Sequence, residues 1–116
     1  MIIIAGTIDL ADPSAMAECM AAATPLQQAT RDEEAGCLAY CFAPDPCVSG
    51  RIQVYELWVD QASLEAHFDH ENYRAMGTLL RSYLKSADNK KYRCDLAEPV
   101  YDEHNKPRAD FFTARQ

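Results

Sequence analysis

Apolar residues fill both alternating phases of Ile2 to Leu10, a short β-branched run that predicts a strand covered on both faces and therefore central in its sheet. Asp12-Pro13 joins a capping residue to a proline suited to the first helical position, and Met16, Cys19, Met20 and Ala23 recur at helical spacing. Pro25 predicts a kink or restart with Thr24 as a new cap, after which the helix continues through Leu26 and Ala29 to Asp32-Glu33-Glu34 and ends at Gly36 as a C-terminal cap. Cys37 to Ala43 sets Leu38, Tyr40 and Phe42 against Cys37, Ala39 and Cys41, a strand with one bulky and one small face. Turn chemistry at Pro44-Asp45-Pro46 and Ser49-Gly50 leads into Arg51 to Val59, expected to return antiparallel.

Asp60 can cap a short helix with Leu64, His67 and Phe68 on one face, and Asp69 a second with Tyr73, Met76, Leu80, Tyr83 and Leu84. Lys90 to Leu96 alternates again, a last strand that reaches toward Tyr101 after a break at Pro99. Strand, helix, strand, strand, helix pair, strand is the split βαβ order of an α+β, ferredoxin-like domain, with helices on one face of a four-stranded antiparallel sheet. The other face is apolar here, because the strands at Ile2 and Arg51 carry apolar residues in both phases. A second copy of the chain is the simplest cover, so a homodimer is expected. The domain occupies residues 1–101, and 102–116 is a charged tail whose Phe111 and Phe112 suit docking on the partner subunit.

Composition narrows the function classes. The 116 residues, 48% of them hydrophobic, are enough for one domain with a real core. The longest apolar run, Met1 to Ala5, is too short for a secretory or membrane-spanning segment, so a cytoplasmic protein is expected. The five cysteines follow no CxxC spacing and mostly lie in apolar segments, which points to small hydrophobes rather than disulfides or a metal site. A net charge of −7 sets nucleic acid and anionic membranes aside as partners.

The chemistry concentrates around the strand from Arg51. One phase holds Ile52, Val54, Glu56 and Trp58, and this phase is assigned to the helix side, where Trp58 can meet His67 across a pocket. Both side chains join an apolar body to a polar tip, suited to an aromatic ligand. The structural alternative makes Trp58 core and His67 a histidine bonded to a backbone carbonyl. Glu56 in a central strand needs a partner, such as backbone donors, Arg51 or Arg74. His70, Asn72 and Tyr73 can reach the pocket mouth or form an exposed first helical turn, Tyr40 and Phe42 can wall the pocket, and Asp32-Glu33-Glu34 reads as a solvated face.

Glu34-Ala-Gly-Cys-Leu-Ala-Tyr40, then Arg51 to Asp60, then Leu64-Glu-Ala-His67 with His70 and Tyr73, resembles the antibiotic biosynthesis monooxygenase family of dimeric α/β barrels over roughly Ile3 to Leu96. The resemblance implies an oxygenase that needs no cofactor: a small aromatic phenol or quinol loses a proton, and its carbanion reduces O2, the co-substrate, to give a quinone. It implies Trp58 as the residue orienting substrate and oxygen and His67 as its polar partner, with Tyr40, Asn72 and Tyr73 bonding ligand oxygens. Val54 stands where phenol-oxidising members often carry Asn, and the first strand has Thr7 and no Asn, unlike haem-degrading relatives. A haem-binding protein, a binding dimer without turnover and a small isomerase are the alternatives on this scaffold.

Overall fold

The computed structural model describes residues 1–113, so the last three positions of the expected tail lie outside the described residues. Four strands, β1 (Ile2–Leu10), β2 (Cys37–Pro44), β3 (Arg51–Trp58) and β4 (Leu84–Arg93), form one antiparallel sheet in the order β2-β3-β1-β4. The two strands with apolar residues in both phases are the two central ones, as expected. Ile2, Ile4 and Ile8 pair with Trp58, Glu56 and Ile52, so these six side chains share the helix face. Helices α1 (Met16–Glu33), α2 (Gln61–Phe68) and α3 (Glu71–Arg81) enclose a core of Ile8, Leu10, Cys19, Ala23, Tyr40, Phe42, Ile52, Val54, Trp58, Leu64, Met76 and Leu80. Among the described residues no helix is long and apolar enough to cross a membrane.

Asp12 accepts from the Ser14 amide and opens a short 3-10 turn, Pro13–Ala15, that runs into α1. Pro25 does not restart the helix. Thr24 is no cap: its hydroxyl donates to the Met20 carbonyl within an unbroken helix. Proline removes a single helical bond, and the stripe Cys19, Ala23, Gln27 and Thr30, buried on either side of it, holds both turns against the sheet. Gln27 and Arg31, one turn apart, fasten α1 to the edge strand β2. The Gln27 amide accepts from Phe42 N at 2.8 Å and donates to Phe42 O at 3.1 Å, while Arg31 Nε donates to Tyr40 O at 2.7 Å. Edge groups that would otherwise invite another strand are thereby satisfied.

Other boundaries depart from the sequence pattern for long-range reasons. A bulge between Cys37 and Ala39 turns Leu38 outward, so only Tyr40 and Phe42 of the bulky face are buried. His70, not Asp69, caps α3, which stops at Arg81; Tyr83 lies beyond it and Leu84 already belongs to β4. β4 begins six residues before Lys90 and ends at Arg93, because pairing with β1 from Leu10 to Ile2 outweighs the weak strand propensity of Lys85-Ser-Ala-Asp-Asn. Of the expected apolar face of α2, Leu64 and His67 are buried and Phe68 stays exposed.

Beyond β4 the chain folds on itself. The Asp102 carboxylate accepts from His104 N and Lys106 N, Arg108 reaches Asp102 and Asp110, and Glu98 accepts from Phe112 N and Thr113 N. Val100, Tyr101 and Phe111 remain exposed. The radius of gyration, 16.4 Å, exceeds the roughly 13 Å of a compact chain of this length.

Gly36 is not a left-handed cap, since Gly50 is the one glycine with positive φ among the described residues. A Cβ on Gly36 would fall 2.1 Å from Ser63 Oγ and 2.2 Å from Ser63 Cβ, so the glycine lets α2 lie directly on the α1–β2 corner. Gly36→Ala is therefore expected to lower stability by about 1–3 kcal/mol, measured by urea unfolding. Adding Ser63→Gly should recover most of the loss if this contact is its cause.

Candidate functional site

Between α2, α3 and the helix-facing side of the sheet lies a cavity of about 220 Å³, to which all four strands contribute. Tyr40, Phe42, Glu56, His67, Met76 and Leu80 form its buried wall, and the exposed Phe68, Tyr73, Arg81 and Asn89 stand at its solvent side. A second space of about 300 Å³ shares Glu56, Phe68, Tyr73 and Asn89 with it and opens past Lys91.

His67 is the hub of the aromatic wall. Its ring lies 4.4 Å from that of Trp58, 5.3 Å from Tyr73 and 5.7 Å from Tyr40, centroid to centroid. Its Nδ1 bonds Glu34 Oε1 at 2.8 Å, and both side chains are nearly closed to solvent, at 1% and 7% exposure. Burial holds the His67 pKa below its ordinary value, and the Glu34 hydrogen bond and charge oppose the shift. The neutral ring then carries its proton on Nδ1 as donor to Glu34, which leaves Nε2 as an acceptor for the cavity. The backbone-carbonyl partner expected for a purely structural histidine is replaced by a carboxylate.

Glu56 and Trp58 are two apart on β3 and so share a face, and the indole Nε1 donates to Glu56 Oε1 at 3.0 Å. The cationic partners expected for Glu56 are engaged elsewhere: Arg51 with Asp9 at 2.8 Å and Arg74 with the Asp69 carbonyl at 2.8 Å. Burial pushes the Glu56 carboxyl up to about 7, against the Trp58 hydrogen bond and with help from the charge of Glu34. Tyr40 is likewise held well above the ordinary tyrosine range by burial, with the charges of Glu56 and Glu34 adding to it, so its phenol stays protonated.

Of the site residues expected from sequence, Tyr40, Glu56, His67 and Tyr73 meet at the cavity. Trp58, fully buried, stands behind it, backing His67 and holding Glu56. Asn72 is buried rather than an exposed helical turn, and its amide donates to Glu34 Oε2 at 3.2 Å instead of lining the cavity. His70 does not join the site: its Nδ1 accepts from the Asn72 amide as the cap of α3. The residue missed is Glu34, read as part of a solvated acidic face. Its place as the cap of α1, two residues before the close-packed Gly36, and at the head of the family-like stretch Glu34 to Tyr40, is the sequence signal that marks it.

A four-stranded antiparallel sheet with helices on one face over an aromatic cavity places the chain among ferredoxin-like α+β domains. The chain belongs to the antibiotic biosynthesis monooxygenase family, whose model matches residues 1–78. Among solved structures it is similar to a provisionally named antibiotic biosynthesis monooxygenase from Caulobacter crescentus (21% identity, 84% of this chain and 90% of that one, TM-score 0.73). It is also similar to another so named from Deinococcus radiodurans (23%, 88% and 100%, TM-score 0.73) and to a conserved protein from Methanosarcina mazei (24%, 79% and 90%, TM-score 0.71). At such identities the likeness is one of fold. No functionally curated protein matches the chain.

The buried Glu56 makes stability depend on pH. The unfolded carboxyl ionises near 4.5 and the folded one near 7, so between these values the folded chain keeps a proton that the unfolded chain has released. Stability therefore falls as pH rises through this window. Glu56→Gln, which can still accept from Trp58, is expected to exceed the wild type by about 2–3 kcal/mol near pH 8.5, with the advantage vanishing near pH 4.5. Denaturant titrations at several pH values check the slope as well as the sign.

Proposed function

We propose that the chain is a monooxygenase that uses O2 to oxidise a small aromatic quinol or phenol without a resident cofactor. The observation that carries this reading is the polarity of the inner wall: Glu56 and His67 Nε2 both accept, inside walls of Tyr40, Phe42, Phe68 and Tyr73. Two acceptors in an aromatic slot call for a flat ring bearing hydroxyl groups. His67 Nε2 takes the hydroxyl proton, and Glu34 on Nδ1 fixes the tautomer and stabilises the imidazolium that forms. Glu56 accepts from a second hydroxyl and keeps electron density on the ring.

The ring carbanion gives one electron to O2. The resulting pair joins through a new carbon–oxygen bond, and the O–O bond then breaks with loss of water. One oxygen atom enters the ring and the other leaves as water, the two hydrogens of which come from the substrate, so no external reductant is needed. No step of this reading passes through haem.

Family membership supports the reaction class, and the apolar open face of the sheet supports a homodimer. Tyr55 and Tyr92 are exposed there, with the exposed Val100, Tyr101 and Phe111 of the tail as further apolar surface for a partner subunit.

Oxygen uptake by the metal-free protein over a panel of hydroquinones should exceed the autoxidation blank and fall roughly a hundredfold in His67→Ala. Equal rates in wild type and His67→Ala would overturn the mechanism. Trp58→Phe has a more specific signature: losing the indole hydrogen bond moves the Glu56 titration upward, so the pH at which uptake rises should also move upward. Light scattering should give a mass twice the 13.0 kDa of the chain, reduced to the monomer by Tyr55→Glu with Tyr92→Glu; a monomeric wild type rejects the dimer.

A further inference from the structure

We infer that the mouth of the cavity selects an aromatic quinol carrying an anionic substituent, a carboxylate on or next to the ring, and that Arg81 and Lys91 recognise that group. The inference rests on the quinol reading above and names the substrate class more closely.

Polar groups are sorted along the cavity. Acceptors stand at the inner end, whereas Arg81, Asn89 and Lys91 stand on the outward side. Lys91 and Glu56 both pair with Ile4, on opposite sides of it, so the two side chains project from the same face of the sheet two strand spacings apart. That separation is about 10 Å, which two inward-leaning side chains and one substituted ring can bridge.

Arg81 lies along the cavity wall in room left by a residue that costs the helix stability. Gly77 lies inside α3, where glycine is worth about 1 kcal/mol less than alanine. A Cβ there would sit 3.1 Å from Arg81 Nη1 and 3.8 Å from Cζ, so the missing side chain is the space over which the guanidinium lies. Arg81 Nη2 also reaches Thr78 Oγ1 at 3.4 Å.

The two cations are unspent. The chain has 18 acidic residues against 11 basic ones, and Arg51, Lys90, Arg93 and Arg108 all pair with aspartates. Among the described residues neither Arg81 nor Lys91 has an ion-pair partner. Arg81 borders the 220 Å³ cavity and Lys91 the adjoining space that shares Glu56, Phe68, Tyr73 and Asn89 with it, so in an acidic protein two cations without ion-pair partners flank the continuous opening and form a local site for a negative group.

The test pairs gentisate, a hydroquinone carboxylate, with its methyl ester, which keeps both hydroxyls and loses the charge. Calorimetric titration should show the acid binding about tenfold tighter than the ester at low salt, and added salt should narrow the difference. In Arg81→Gln and in Lys91→Gln, each checked for wild-type melting, the preference should fall toward unity. Equal binding of acid and ester, or a preference untouched by both variants, overturns the anion site and leaves the quinol reading standing. Failure of both compounds to bind or to consume O2 overturns the quinol reading and this inference with it.

Discussion

The hydrogen bond between Glu34 and His67 joins the end of α1 to α2, and the rest of the site is arranged around it. Neither element is near the other in sequence, and the contact requires α2 to lie close on the α1–β2 corner, which Gly36 permits by having no side chain to meet Ser63. Asn72 completes the fastening from α3 by donating to the other oxygen of Glu34. One carboxylate therefore ties all three helices together, and the imidazole it holds is pressed between Trp58 and the cavity. A buried carboxylate–histidine pair is a poor source of net stability, because desolvation offsets most of the attraction. What it supplies is a single orientation and tautomer for the ring.

The sheet contributes through its period of two. Because Ile52, Val54, Glu56 and Trp58 share one phase of β3, the carboxylate is forced into the core side and the only donor two residues away on the same face is the indole. Glu-x-Trp is thus a locally self-consistent unit: the tryptophan fills volume and also supplies the hydrogen bond without which Glu56 would be an orphan. This places Trp58 one layer behind the cavity, in contact with both Glu56 and His67.

Much of this was legible in the chain because it depends on alternation. The two-phase hydrophobicity of Ile2 to Leu10 and of Arg51 to Trp58 identified the central strands, and the phase containing Trp58 identified the side facing the helices. Features set by contacts between distant segments were not legible. Pro25 stayed inside α1 because buried neighbours hold both flanking turns. β4 arose from Lys85-Ser-Ala-Asp-Asn because β1 offered a long edge to pair with. Glu34 looked like one more solvated acid beside Asp32 and Glu33, since nothing local announces that His67 and Asn72 come to meet it. Asn72 and His70, adjacent to the motif that suggested them, bond at the helix ends instead of lining the cavity.

Glu56 is the residue that packing alone does not explain. Glutamine at this position would accept from Trp58 Nε1 equally well and would avoid the cost of ionising a carboxyl in an apolar wall. The difference lies at the second oxygen. Glutamine would present an NH2 donor to the cavity, whereas the carboxylate presents another acceptor once the pH exceeds about 7. His67 Nε2 is also an acceptor in its neutral form, so the inner wall is consistently one that asks its ligand for hydrogen. On the proposed reading the destabilised carboxylate is tolerated because the substrate has protons to share, and a ring with two hydroxyls would satisfy both acceptors at once.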